Sequence, residues 1–295
     1  MSSQEMVGGA PLEADAVTSG GGAKRVVSPS LVVGAVLVLL VIGMALLSFV
    51  WTPHDPTFVD AAHRLEKPNG TYWFGTDKFG RDVFSQVLVG AQTTLFVGFV
   101  SVGVAALIGV PLGVLAAVTP RWFGDTLMRV NDIVLAFPAL LLAIMLTAVF
   151  GQSTFIAMIA IGVATIPSFA RLIRSGSLQV MGTEYVLAAR VAGHRTRAIS
   201  RRHVLPNVGN LIIVQASVAF AIAVLAEAAL SFLGFGTPPP TPSWGRMLQE
   251  SQELLFIAPR LVVFPGVAIA VAVLGFNLLG DGLRDYLDPK LEDRR

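Results

Sequence analysis

The chain has 295 residues, of which 54% are hydrophobic and only 14% are charged, and its mean hydropathy is +0.71. Soluble domains carry about 25% charged residues, so this composition indicates a protein with several membrane-spanning segments. The net charge is only +2, and the arginines flank apolar segments, so the composition does not imply nucleic acid as a partner. Cysteine is absent, which excludes disulfides and thiolate metal sites.

Residues 1–28 are polar and contain a glycine run, so they predict a flexible tail. The uncharged apolar run Leu31–Val50 follows, and it is long enough to cross a hydrocarbon core of about 30 Å. A signal peptide is the competing interpretation, but its apolar core would be shorter, about 7–15 residues. We therefore predict an uncleaved first span, followed by a polar segment that ends at residue 92.

Five further apolar runs predict five more spans. They are Thr93–Val118, Ile133–Phe150, Ser153–Ile173, Asn210–Phe235 and Leu261–Leu279. Buried helices of a soluble core could imitate one such run, but six of them leave too few amphipathic segments to cover them. Four prolines interrupt the runs and predict kinks: Pro111, Pro138, Pro167 and Pro265. Asn131-Asp132 precedes the third span and is expected to cap that helix.

Lysine and arginine are distributed unequally between the segments that separate the spans. With the N-terminus inside, 15 of the 21 basic residues fall in inner segments, so the positive-inside rule predicts cytoplasmic termini. The expected organisation is therefore a cytoplasmic tail, a first span with an extracytoplasmic segment, a core that contains a cytoplasmic loop, and a second tail. The corresponding ranges are 1–28, 29–92, 93–279 with the loop at 174–209, and 280–295.

The segment Glu184–Asn207, called the arginine loop below, carries five arginines and two histidines between two apolar runs. Its first part lacks proline and glycine and predicts a helix, with Thr183 as the N-terminal cap. Gly193 should end that helix in a left-handed conformation. A second short helix should run from Thr196 to Val204 and stop before Leu205-Pro206, since the residue before proline disfavours the α region.

One face of the first loop helix is built from small side chains and one aromatic: Tyr185, Ala188, Ala189 and Ala192. Such a face can lie deep in a groove of another protein. The competing interpretation is a charged loop that only fixes topology and touches lipid headgroups. The arginines alone would favour it, but it leaves the small side chains and Gly193 unexplained.

The arginine loop resembles the EAA loop of ABC-importer permeases, with Glu184, Ala188, Ala189 and Gly193 at the family's spacing. Four further segments resemble the C-type subunit of dipeptide, oligopeptide and nickel transporters, in the family's order. They lie at 74–82, 227–234, 242–248 and 277–289. Two glutamines, Gln86 and Gln92, depart from the pattern because they stand where the family has arginines.

This resemblance implies an all-α, type I ABC-importer permease with six transmembrane helices in the plasma (inner) membrane. The chain would form half of a path for di- or oligopeptides, in the lipid bilayer, beside a second homologous permease subunit. One or two P-loop ATPase subunits would bind ATP and Mg, and an extracytoplasmic substrate-binding protein would deliver the cargo. Nickel or another small solute is the alternative cargo. The chain itself lacks a P-loop motif and would carry no catalytic residue, cofactor or metal.

The docking interface implied by the resemblance comprises Glu184, Tyr185, Ala188, Ala189, Arg190, Ala192, Gly193, Ile199, His203, Leu205 and Pro206. Glu227 lies within the fifth span, where a charge at mid-bilayer costs roughly 2.5–3.5 kcal/mol. Two interpretations of this carboxylate stay open, namely a structural acid bonded to a neighbouring helix, or a residue of the translocation path or outer gate. An ion-coupled secondary transporter and a non-transporting assembly subunit are the alternative functions, and the former should carry polar groups at the midplane.

Overall fold

The computed structural model describes residues 28–287, and this part of the chain is built from helices and connecting segments. In chain order the helices are α1 (Pro29–Val50), α2 (Val83–Val118), α3 (Arg121–Ala136), α4 (Ala139–Phe150), α5 (Thr154–Met181), α6 (Glu184–Val191), α7 (Thr196–Ile199), α8 (Leu205–Phe232), α9 (Trp244–Ser251) and α10 (Arg260–Leu287). A π turn, Ser200–Val204, joins α7 to α8. Short 3-10 turns occupy Ala61–His63 and Gln252–Leu254.

Helices α1, α2, α5 and α10, and the run from α7 through α8, are each long and apolar enough to cross a membrane. The third predicted span, Ile133–Phe150, is divided, because α3 and α4 meet at an angle of 81°. Pro138 has no N–H, and it holds Phe137 in an extended conformation with ψ at 131°. The predicted all-α polytopic class is thus confirmed, with five spans, or six if the bent pair counts as one.

The helices extend beyond the apolar runs that predicted them. Helix α2 begins at Val83 rather than Thr93, because the Asp82 carboxylate accepts hydrogen bonds from the first N–H groups of the helix. Helix α10 continues to Leu287, so residues 280–287 are helical rather than part of a tail. The rest of the tails predicted at 1–28 and 280–295, namely residues 1–27 and 288–295, lies outside the described residues.

Three of the four span prolines, Pro111, Pro167 and Pro265, remain inside continuous helices. The expected cap at Asn131-Asp132 is wrong, because α3 begins earlier and both residues lie within it. The buried Asn131 side chain donates from Nδ2 to the Pro167 carbonyl oxygen at 3.3 Å.

Helices α2 and α5 pack closely along most of their length. Gly113 lies against the α5 backbone, where a Cβ atom would come within 2.6 Å of the Ala170 carbonyl oxygen. The Ser101 hydroxyl donates to the Met158 carbonyl oxygen at 2.9 Å. This close packing connects α2 to the arginine loop, because α5 leads directly into the loop.

Residues 51–82 cover the end of the bundle opposite the arginine loop. Arg260, at the start of α10, donates to the carbonyl oxygens of Leu65 (2.9 Å) and Glu66 (2.7 Å). The Phe74 ring stacks on the Phe264 ring with centroids 3.9 Å apart. The segment between the first two spans is therefore bonded to the last span.

A charged cluster holds α9 at the same end. Arg81 pairs with Asp77 (2.6 Å) and with Glu250 of α9. Burial acts to lower the pKa of Arg81, but the two carboxylates outweigh it and raise this pKa above its ordinary value. Gln86, which differs from the expected arginine, belongs to the same cluster. Its side-chain amide donates a hydrogen bond to the Asp77 carboxylate at 3.1 Å.

The second departure, Gln92, also has a partner within the bundle. Its amide donates to the Ser48 hydroxyl of α1 at 2.6 Å. Both glutamines therefore make hydrogen bonds to neighbouring segments.

Candidate functional site

The arginine loop is packed onto the ends of three long helices. A cluster of buried hydrophobic side chains lies beneath it, contributed by α2, α5, α6, α7, the π turn and α8. The members are Val114, Ile173, Met181, Val186, Ile199, Val204 and Val208. Helix α6 follows α5 after only Gly182-Thr183, so the loop is attached directly to the spans on both sides.

Gly193 ends the first loop helix in the predicted left-handed conformation, with φ at +80°. Its N–H donates to the Arg190 carbonyl oxygen (3.0 Å), and the His194 N–H donates to that of Ala189 (3.1 Å). These two bonds form a Schellman motif, which satisfies carbonyls left free at the helix end. A Cβ atom at Gly193 would meet nothing within 4 Å, so only the backbone conformation requires glycine here.

The predicted side-chain cap at Thr183 is wrong. Thr183 occupies the capping position, but its hydroxyl accepts no hydrogen bond from α6. It donates instead to the Val180 carbonyl oxygen at 2.6 Å, in the last turn of α5. The hydroxyl thus belongs to the end of the preceding helix, and Glu184 is the residue that complements the N-terminal dipole of α6.

The outward side of α6 differs from the predicted face. Ala188 is exposed, but Ala189 is half-buried against the hydrophobic cluster beneath the loop. Leu187 (48% exposed) and Val191 (90% exposed) lie on the open side and were missed by sequence reasoning. The sequence contained a signal for the exposure of Val191. Glu184, Ala188 and Val191 are four and three positions apart, so they lie on one face of a helix.

The other predicted docking residues divide by exposure. Those exposed to solvent are Glu184, Tyr185, Ala188, Arg190, Ala192, Gly193, Leu205 and Pro206. His203 is half-buried, and its ring lies 5.8 Å from the Tyr185 ring. Ile199 is only 2% exposed and belongs to the cluster beneath the loop, so it supports the exposed residues and does not reach the open surface.

The second loop helix does not stop before Pro206, contrary to the prediction. Leu205 is helical (φ −55°, ψ −45°), and its N–H donates to the Ser200 carbonyl oxygen across a π turn. This wider turn accommodates the proline, which cannot donate and would crowd the carbonyl four residues earlier. Asn207 supplies a donor in its place, since its Nδ2 bonds the His203 carbonyl oxygen at 2.6 Å.

Glu227 is buried near the opposite end of α8, with 1% of its surface exposed. Its Oε1 accepts from the Ser231 hydroxyl at 2.7 Å, and the Ser231 oxygen accepts from the Thr237 N–H at 3.1 Å. Within the described residues its Oε2 has no hydrogen-bond partner. The carboxylate thus fixes the connection that leaves α8 and exposes almost no surface to a path.

Residues 109–293 match the model of a protein family described as the inner membrane component of binding-protein-dependent transport systems. The chain is 42% identical to the dipeptide transport system permease protein DppC of Alkalihalophilus pseudofirmus, covering 88% of this chain and 86% of that one. It is 40% identical to the glutathione transport system permease protein GsiD of Pectobacterium atrosepticum, covering 88% and 87%. The chain belongs to this permease family.

A solved structure of the MetNI methionine ABC transporter in an inward-facing conformation is also similar, with a TM-score of 0.59. The alignment covers 69% of this permease and 97% of that chain at 21% identity, so it supports the fold alone. The family resemblance inferred from the arginine loop and the four further segments is confirmed, and the region that matches the family model contains the loop with α5, α8 and α10. The expected ABC-importer permease fold is likewise confirmed.

We predict that Gly193→Val loosens the arginine loop without unfolding the permease, because a β-branched residue resists the left-handed conformation. The cost should be about 1–3 kcal/mol. Limited trypsin digestion measures the effect, since Arg195 and Arg197 lie just beyond the motif. Gly193→Asn is the matched control, because asparagine tolerates this conformation. Equal cleavage rates for the wild type and Gly193→Val would contradict the requirement for glycine.

We predict that Glu227→Gln leaves the permease folded, whereas Glu227→Leu lowers its thermal unfolding midpoint. The amide oxygen can still accept from Ser231, but leucine leaves that hydroxyl without its acceptor, at a cost of about 1–3 kcal/mol. Thermal unfolding in detergent compares the two variants. If glutamine destabilises as much as leucine, the negative charge rather than the hydrogen bond stabilises this region.

Proposed function

We propose that this permease forms half of the translocation path of an ATP-driven importer of di- or oligopeptides. A second homologous permease subunit forms the other half. The cargo class rests on the relatives named above, whose descriptions give dipeptide and glutathione transport. Nickel or another small solute is the alternative cargo, and neither of those two descriptions names it.

The permease lies in the plasma (inner) membrane with both termini and the arginine loop in the cytoplasm. The excess of lysine and arginine in the loop-side segments supports this orientation. The packing is consistent with it, because Gly282 of α10 lies against the Leu31 backbone, near the start of α1. Residues 51–82 then face outward, where a substrate-binding protein delivers the cargo.

A P-loop ATPase docks on the arginine loop, and a second copy docks on the partner permease. The observation that carries this proposal is the attachment of the loop, since α6 is joined to α5 by two residues and α7 runs into α8 through the π turn. A displacement of the exposed α6 surface therefore moves two spans. ATP and Mg bind to the ATPase, and this chain performs no chemistry.

In the proposed cycle, ATP binding draws the two ATPases together and moves both arginine loops. The spans then alternate between inward-open and outward-open arrangements, a bistable change that ligand binding biases. Glu227 contributes at the outer end by holding the connection after α8, where Ser231 and Thr237 complete the hydrogen-bonded chain. It serves there as a positioning residue for the outer gate.

We predict that Ala188→Arg abolishes recovery of the ATPase when the tagged permease is purified from native membranes in mild detergent. Ala188 lies at the centre of the exposed α6 surface, so a long charged side chain blocks close approach of another protein. Ala189 is not suitable for this test because it is half-buried and its substitution would disturb the loop itself. Mass spectrometry of the bound proteins measures the result.

Thr126→Arg is the matched control, because Thr126 is exposed on α3, which begins at the same end of the bundle. This variant should retain both the ATPase and the second permease subunit. Recovery of the wild-type chain alone would contradict the proposal and favour an ion-coupled secondary transporter, whose uptake a protonophore abolishes while ATP is maintained. Unchanged uptake after deletion of the chain would instead favour a non-transporting assembly subunit.

A further inference from the structure

The arginine loop concentrates positive charge without internal compensation. Its five arginines are all exposed, and they are Arg190, Arg195, Arg197, Arg201 and Arg202. The only carboxylate in the same segment is Glu184. Among residues 28–287, none of the five forms an ion pair, and Arg190 makes only a 4.0 Å contact with the Met181 sulfur.

Five of the nine arginines elsewhere in the described chain form ion pairs. Arg81 and Arg246 pair with carboxylates at the end opposite the loop. Arg171 and Arg174, near the end of α5, pair with Asp132 and Asp125 of α3. The four without an ion pair among the described residues lie in separate segments, and they are Arg64, Arg129, Arg260 and Arg284. The arginine loop therefore holds the one cluster of unpaired arginines in the described chain, and their countercharge has to come from outside the described fold.

The length of the helix argues against lipid headgroups as that countercharge. Arg197 precedes Asn210, the first residue of the predicted span, by thirteen positions along α7, the π turn and α8. At 1.5 Å per residue this places Arg197 roughly 20 Å from the hydrocarbon boundary. The headgroup layer is only about 5–8 Å thick on each side of the bilayer, so Arg195 and Arg197 extend beyond it.

The apolar residues of the loop lie among these charges. Leu187 and Val191 are exposed on the open side of α6, and Tyr185 is 46% exposed beside His203. Together with Ala188 they form a small apolar patch on α6, the helix that also carries Arg190. A complementary surface would bury the patch and offer carboxylates around it.

We propose that the arginine loop binds an apolar cleft of the ATPase subunit whose rim is lined by aspartate and glutamate. This inference rests on the proposed docking of the ATPase and adds the chemistry of the receiving surface. The apolar patch enters the cleft, and the arginines pair with the acidic rim. Such pairing steers association and fixes the orientation of the loop, and salt weakens it.

The test uses the complete complex in nanodiscs, from which the ATPase subunits are removed and then added back. Reversal of two exposed charges, R197E with R201E, should weaken rebinding of the ATPase about tenfold or more at low salt. The wild-type affinity should fall steeply between about 0.05 M and about 0.5 M salt, and the variant should respond much less. A complementary acid-to-lysine substitution on the ATPase rim should restore binding to the variant.

The matched control reverses two exposed arginines of α3, R121E with R129E, and should leave rebinding unchanged. Unchanged affinity and salt response in R197E/R201E would overturn the acidic-rim inference, while loss of rebinding in A188R would leave the docking proposal intact. A defect confined to nanodiscs with anionic lipid, and absent from zwitterionic ones, would assign the arginines to headgroups and also overturn it. Unimpaired rebinding in A188R would contradict the docking proposal itself.

Discussion

The arrangement of this permease depends on the hydrophobic cluster beneath the arginine loop. Val114, Ile173 and Val208 come from three different spans, and Val186 and Ile199 come from the loop. Because these side chains are buried together, the loop cannot shift without moving the ends of α2, α5 and α8. In the proposed docking, the exposed residues above the cluster contact the partner and the buried ones transmit its displacement. The two sides of α6 would then have separate roles.

The opposite end of the bundle combines a second apolar cluster, which includes Trp244, Met247 and Leu261, with polar contacts. Arg81 links the segment after α1 to α9, and Arg260 links α10 to the same segment. Glu227 fixes the connection between α8 and α9 through Ser231. Since α8 extends from the π turn to this connection, one helix joins the proposed docking surface to the proposed outer gate.

Local chemistry predicted the spans and the glycine that ends α6, because apolar length and a left-handed residue are encoded in a few neighbouring positions. It could not predict the outcome at each proline. Pro111 and Pro167 remain inside continuous helices, whereas Pro138 separates two helices at 81°, and their local sequences do not distinguish them. The same limit applies within the site, where contacts with α2 and α5 decide that Ile199 faces inward and Val191 faces solvent.

The proposed coupling requires that the arginine loop and α8 move as one body. The chain contains no cysteine, so spin labels can be attached to cysteines introduced at His194 in the loop and Phe232 at the far end of α8. His194 is exposed and is not one of the proposed docking residues. The distance between these labels is measured by pulsed electron spin resonance in the complete complex, with and without ATP. We predict one narrow distance distribution that ATP does not shift, while the distance from His194 to a label on the partner permease changes. An ATP-dependent shift of several ångströms within this chain would contradict the coupling.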